Sequence, residues 1–320
     1  MASRNSLSTG GYFMIIRKSG HIKNGLYYLL HPEFPVFLLD RPEPVIFDAG
    51  LSCAGKLYAQ EIKSVLGDRQ PSILFLTHSH WDHCGSVSTL KKAFPDMKVA
   101  ASPLAAKVVK RPNALALIQE LNKGAAHEIR LVVPGVESLL VNEPFRPFEV
   151  DIELQDQQVF DLGAGTTLEV MATPGHTQDH HSFYLPHDKI LIAGEAAGVY
   201  YGPQTISPEF VSDYDAYVSS LQRLARLPVD VYSQGHYACM TGEEEIKAYF
   251  ERSLRETIRF KERVFELLDE EEGSIERVVQ RVKAEQFYGN KELKQPEVTY
   301  TLNLRARVNN LAAKKRQQSA

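Results

Sequence analysis

Nine consecutive residues, Thr77-His78-Ser79-His80-Trp81-Asp82-His83-Cys84-Gly85, place four side chains able to ligate a metal within six positions: His78, His80, Asp82 and His83. Imidazole nitrogen and carboxylate oxygen suit divalent ions. Three of the chain's 11 histidines fall in this window, a density that a loop merely rich in polar residues rarely reaches. The segment follows the apolar run Ile73-Leu74-Phe75-Leu76, the kind a strand covered on both faces needs. Loops at strand ends are where binding residues collect. In an extended exit alternate residues share a face, so His78, His80 and Asp82 are expected to converge. His83 is expected to point elsewhere if the chain turns at Gly85.

Three later positions repeat the arrangement. His176 follows the strand-like Thr167 to Met171, Glu195 follows Ile190 to Ile192, and His236 follows Val229 to Ser233, each beside a glycine that lets the backbone turn. One ligand-type residue at the end of each of several strands describes a metal centre assembled from separate stretches. A divalent ion lowers the pKa of bound water from about 15.7 to about 7, and two ions about 3.5–4 Å apart share the hydroxide and polarise a carbonyl or phosphoryl oxygen. Asp82 would orient that nucleophile or take its proton while acting as a ligand. No serine or cysteine nucleophile is required, and Cys84 reads as a small buried filler. Of His180 and His181, one is a candidate for the pocket lining, against a supporting or surface role. His21, His31, His127 and His187 read as ordinary surface residues.

The elements that would position these residues are legible as pattern. Tyr12 to Ile16, Leu26 to Leu30, Val36 to Leu39 and Val45 to Phe47 are short runs rich in β-branched and aromatic residues, punctuated by Gly, Pro, Asn and Asp, as in a β-meander. Helical spacing follows at Ala54 to Leu66, Val87 to Phe94 and Pro103 to Lys123, with a break near Pro112. Lys98 to Ala101 reads as a strand. Strands return between Val150 and Ala193, then a helix over Asp215 to Leu227. Two sheets between helices are the expectation. After Met240 the chain turns charged and helical: Glu243 to Glu272 with Ile246, Tyr249, Phe250, Leu254, Ile258, Val264 and Leu267 on one side. Thr241 with Glu244 forms a capping-box pattern, Gly273 ends the helix, and Ser274 to Glu285 and Glu297 to Leu311 add two more. This divides the chain into a core over residues 1–240 and a helical extension over 241–320.

Composition limits the class. The chain has 320 residues, 43% hydrophobic and 24% charged, which is ordinary for a globular protein of about two domains. A net charge of −4 disfavours a nucleic-acid grip, and the basic Lys314-Lys315-Arg316 reads as a solvated end. Three cysteines form no disulfide framework, so a reducing cytoplasm is expected. No apolar run approaches the ~20 residues of a membrane span, and Met1 to Gly11 lacks the apolar centre of a signal peptide.

The segment His78 to His83 with its HxHxDH spacing, followed by His176, Glu195 and His236, resembles the metallo-β-lactamase fold hydrolases, and Asp48-Ala49-Gly50 matches that family's early turn. The resemblance covers about Gly11 to Met240. It implies an α/β fold, a four-layer αβ/βα sandwich with two metals at one sheet edge, here carrying a C-terminal helical appendage. Carried over by position, His78, His80 and His176 would hold a first ion, Asp82, His83 and His236 a second, and Glu195 would bridge them. Glu195 departs from the usual aspartate, and its extra methylene leaves open whether it bridges or ligates one ion. Tyr237 departs from a small residue, as a pocket hydroxyl or as cavity wall. With no thiolate in the set, zinc leads by frequency, with iron or manganese as rivals. A narrower resemblance, through Asp82 to Gly85, His176 to His180, Ser182 to Tyr184 and Asp215 to Pro228, is to the quinolone signal response protein branch, of thioesterase type, whose terminal helices cover the entrance to the metal site.

The leading expectation is therefore hydrolysis of an ester-like bond by a metal-bound hydroxide, with a small-molecule acyl-CoA or acylglutathione thioester as substrate. Lactone or phosphodiester hydrolysis is the second reading, and a regulatory or interaction protein with a retained metal site the third. A di-iron oxidoreductase ranks last, since no flavodoxin-like domain follows Met240. No membrane and no nucleic-acid partner is expected. The tail is expected to act as a lid over the site or as a homodimer contact.

Overall fold

A computed structural model describes residues 14–318 apart from 35, 142, 143 and 294. Tyr12 and Phe13 of the first apolar run, and the Met1 to Gly11 segment, lie outside the described residues. The α/β class and the helical C-terminal region are present as expected.

The chain divides into two compact units. The first contains two seven-stranded sheets. One runs in the order Gly20–Lys23, Leu26–Leu29, Val36–Leu39, Val45–Phe47, Ile73–Phe75, Lys98–Ala101, Ile152–Glu153. Its first four strands are the antiparallel meander, and from Val45–Phe47 onward the pairing is parallel. The switch follows from the connections: short turns join the meander, while the helices Gly55–Leu66 and Val87–Ala93 are crossovers. The other sheet runs Met14–Ile16, Cys239–Thr241, Val231–Gln234, Ile190–Gly194, His181–Leu185, Thr167–Ala172, Val159–Asp161, with Ile190–Gly194 and Val231–Gln234 parallel.

Strand alternation sorts side chains into two cores. Phe37, Leu39, Val45 and Phe47 face the second sheet and pack with Val170, Phe183, Leu185 and Ile192, the Phe47 ring lying 5.4 Å from that of Phe183. Leu38 and Ile46, one residue out of phase, face the helical side with Leu57, Ile62 and Leu90. A one-residue slip would exchange these faces, so the meander's register is tightly specified.

The second unit holds a small hairpin, Val199–Tyr200 with Ile206–Ser207, and the helices Tyr214–Leu224, Glu243–Glu270, Ile275–Gln286 and Glu297–Gln318. Phe210 packs its ring against Tyr214, Tyr217 and Phe260. Two details differ from the sequence reading. Thr241 belongs to the strand Cys239–Thr241 and the long helix starts at Glu243, so Thr241 does not cap it. The buried seam of that helix includes Ser253 and Thr257, while Ile258 is exposed and Leu254 half-buried. Close backbone approach explains the small polar choice: Ser253 Oγ donates to Ala197 O at 2.6 Å, and Tyr249 Oη lies 3.0 and 2.9 Å from the Ala197 and Gly198 carbonyls.

Candidate metal centre

The strand Ile73–Phe75 releases its chain in extended form as far as His80, which has φ −67° and ψ 152°; Trp81–Cys84 then closes a single helical turn. The extended expectation therefore holds for His78 and His80, whose rings lie 4.5 Å apart, and fails for Asp82 and His83. On the helical turn His83 does not point away. Its ring lies 4.2 Å from that of His78, and its Nε2 lies 3.3 Å from His236 Nε2. The chain turns at Gly85, just past the helix, with right-handed φ −56° and ψ −44°, and its lack of a side chain matters because a Cβ would lie 2.5 Å from Ser52 N and 2.6 Å from Gly50 O.

The imidazoles are oriented from behind. Asp48 is 4% exposed and takes a left-handed φ of 61°, a conformation that Asp tolerates better than most side chains. Its carboxylate accepts from Thr77 N at 2.8 Å and from His83 Nδ1 at 2.9 Å. The Thr77 hydroxyl lies 3.0 Å from both Asp48 oxygens and 2.9 Å from His78 Nδ1. A carboxylate only accepts, so that hydroxyl spends its proton on Asp48 and accepts from His78 Nδ1–H. His236 Nδ1 donates to Glu33 O at 2.7 Å, and His176 Nδ1 to Glu209 O at 2.5 Å. In all four rings the tautomer is thus set with the proton on Nδ1, which puts the lone pair on Nε2 in the neutral form. Lone pairs of His83 and His236 face one another at 3.3 Å, an arrangement that repels unless a cation sits between them. Fixing the far ring nitrogen in this way is how metal-ligating histidines are held.

Asp82 Oδ2 lies 3.5 Å from His236 Nε2, and Glu195 Oε2 lies 3.8 Å from His176 Nε2. Within the first unit, ligand-type atoms of Asp82, His83 and His236 lie within 4.8 Å of one another. Nitrogen and oxygen donors at this spacing fit a divalent ion. His180 is buried, its ring stacked 5.1 Å from His78. Gly194 makes room for it: φ is 51°, and a Cβ there would lie 2.5 Å from His180 Nε2. Tyr237 is half-buried beside His236 with φ 68°, its N–H donating to Pro32 O at 2.5 Å. Burial pushes the Cys84 thiol well above its ordinary pKa, with Asp179 adding to the effect, so no thiolate nucleophile forms there. Burial likewise lowers the pKa of His181.

Sequence reasoning reads Asp48 as part of a turn motif and assigns it no further role; its position one residue past an apolar strand is the available signal. Asp179, whose carboxylate accepts from Ser79 N at 2.9 Å and steadies the loop, escapes notice between His176 and His180. The carbonyls of Glu33 and Glu209 leave no trace in residue type.

The sequence model of the metallo-beta-lactamase superfamily matches residues 36–236. Among curated relatives, the beta-lactamase-like protein 2 homolog of Caenorhabditis elegans is 25% identical over 231 residues, covering 71% of this chain and 61% of that protein. The atrochrysone carboxyl ACP thioesterase of Aspergillus fumigatus is 24% identical over 185 residues, 58% of this chain and 44% of its own length. The chain thus spans less than two thirds of both. The crystal structure of metallo-beta-lactamase family protein TTHA1429 from Thermus thermophilus superposes with a TM-score of 0.61 at 21% identity, over 92% of this chain and 94% of that one, a likeness of fold. With the family match spanning well over half of the chain, and the HxHxDH loop at a strand end inside it, this protein belongs to the metallo-beta-lactamase superfamily.

Proposed function

We propose that the protein is a metal-dependent hydrolase of ester-like bonds, with an acyl thioester of the acyl-CoA or acylglutathione type as substrate. The observation that carries the reading is the common orientation of four imidazoles, His78, His83, His176 and His236, each with Nδ1 engaged by an oxygen behind it. His78, His80 and His176 would hold one divalent ion, Asp82, His83 and His236 a second, and Glu195 would supply a further carboxylate ligand. Zinc is the first choice, iron or manganese the alternatives. Bound there, divalent ions supply Lewis acidity that brings a water's pKa near 7 and polarises the acyl carbonyl.

The chain's own residues do the rest. Asp82, 3.5 Å from His236 Nε2 and partly open to solvent, is placed to accept the nucleophile's proton at Oδ2. Asp48, with Thr77, keeps His78 and His83 from rotating. His180 and the Tyr237 hydroxyl are assigned to the pocket wall. Thioester choice rests on the narrower sequence resemblance and on the thioesterase among the relatives.

The test is turnover of an acyl-CoA and an acylglutathione by the purified, metal-loaded chain. Hydrolysis is expected, abolished by a chelator, restored by added divalent metal, and lost in His80→Ala with an unchanged circular dichroism spectrum. Failure to cleave any thioester, lactone or phosphodiester by fully loaded protein would transfer the case to an interaction protein that retains its metal.

A further inference from the structure

A tight turn of the first unit lies behind His236. Residues His31 to Phe34 close it: Phe34 N donates to His31 O at 3.1 Å, and Pro32 takes the second position, where its fixed φ suits a turn. The other carbonyls of the turn are engaged as well. Pro32 O accepts from the Tyr28 hydroxyl at 3.1 Å and from Tyr237 N at 2.5 Å, and Phe34 O accepts from the Tyr58 hydroxyl at 3.0 Å. Glu33 O takes the Nδ1 proton of His236 at 2.7 Å.

The helix Gly55–Leu66 clamps this turn at both ends. Tyr58 and Glu61, three residues apart, share one face of that helix. Tyr58 is wholly buried and holds the far end, at Phe34 O. Glu61 holds the near end, its Oε2 accepting from Leu30 N at 2.5 Å.

Two costs meet in that second bond. Leu30 is buried with φ 57°, in the left-handed region that a leucine side chain disfavours. Glu61 is half-buried, and among the described residues no cation forms an ion pair with its carboxylate. Burial raises its pKa, and the Leu30 N–H offsets this only in part. Backbone strain persists where the surroundings over-determine it, and it collects at functional sites. An unpaired carboxylate and a strained leucine at the entry to the turn have one product in common, the direction of the Glu33 carbonyl.

We propose that Glu61 is a positioning residue of the metal centre: by holding Leu30 N it fixes the turn from His31 to Phe34, and through the Glu33 carbonyl it aims His236 Nε2 at the ion assigned to Asp82, His83 and His236. The assignment rests on the reading of those three residues as ligands. Glu61 touches neither ligand nor ion, and acts through two backbone groups rather than on a ring.

Zinc titration of the full chain in competition with a chromophoric chelator tests it, with urea unfolding as the control that each variant is folded. Glu61→Ala should weaken zinc binding about tenfold. Glu61→Gln, which keeps an acceptor for Leu30 N, should stay within about threefold of the unaltered chain. The discriminating comparison is with His236→Ala: if Glu61 acts through His236, Glu61→Ala adds nothing once that ring is gone. The same loss in both backgrounds would make Glu61 a support of the fold alone and overturn the proposal. So would unaltered affinity in Glu61→Ala, or a glutamine variant as weak as the alanine one. No zinc binding by the unaltered chain would instead strike the metal-centre reading, and this assignment with it. If Glu61→Ala does not fold, Glu61→Asp, whose carboxylate is withdrawn by one methylene, carries the same expectation in its place.

Discussion

At the scale of single residues, the controlling group is Asp48. One buried carboxylate serves Thr77 through its backbone and hydroxyl and His83 through Nδ1, so three groups depend on one acceptor. Asp48→Asn keeps size and shape and weakens the charge-assisted bond to His83. Metal affinity is expected to fall about 10–100-fold, as for other outer partners of ligating histidines. A competition titration with a chromophoric chelator measures it, and unchanged affinity would remove Asp48 from this role. The metal-ligand types themselves are legible in the sequence because they are dense and follow a strand. What holds them is legible only in part. Asp48 has a side chain to read, whereas the Glu33 and Glu209 carbonyls belong to the backbone and carry no residue-type signal.

At the scale of elements, period and punctuation predict most of what forms. The strand Lys98–Ala101 has the bounds expected, and Ile275–Gln286 starts one residue after Ser274, whose side chain accepts from Arg277 N. Misreadings arise where a partner overrides local pattern. Thr241 is taken by strand pairing with Val231 before it can cap a helix. Ser253 looks polar and lies inward because the Ala197 carbonyl beside the hairpin approaches too closely for a larger residue, and Thr257 lies inward with its hydroxyl donating to Ser253 O of its own helix at 2.8 Å. The HxHxDH stretch changes from extended to helical at Trp81, which brings Asp82 and His83 onto one turn and reverses the expected direction of His83. A direct check of element energetics is the cap of Tyr214–Leu224, where Asp213 accepts from Ala216 N at 2.9 Å. Asp213→Ala should cost about 1 kcal/mol, read as a lower denaturation midpoint with an unchanged slope.

At the scale of the whole molecule, stability should depend on acid through buried histidine. Burial holds the His181 pKa below its ordinary value, so the unfolded chain, near pH 6.5, takes up the proton more readily than the folded one. The contribution is fully present above about pH 6.5 and is lost as the pH falls toward the folded value. His31 is lowered for the same reason and acts in the same direction. Urea unfolding of metal-free protein is expected to show a lower midpoint at about pH 5.5 than at about pH 7.5, with a shallower dependence in His181→Gln. An equal dependence in the variant would assign the acid sensitivity elsewhere. No helix among the described residues is long and apolar enough to cross a membrane. The fold class and the helical tail can be read from residue order because both follow from local periodicity; the tail's long-range ties cannot.

One of those ties has a practical outcome. Arg307, in the last helix, grips the carbonyl of Pro208, and the very next carbonyl, that of Glu209, aims the ring of His176. A chain shortened to end before Glu297 would keep all seven proposed ligands and yet release the strap that steers one of them. Such a fragment should still fold its sheets but retain less metal per chain by elemental analysis; equal retention would show that His176 keeps its aim unaided. The tail's value to the chemistry would then lie in tension on a backbone segment rather than in any atom it lends.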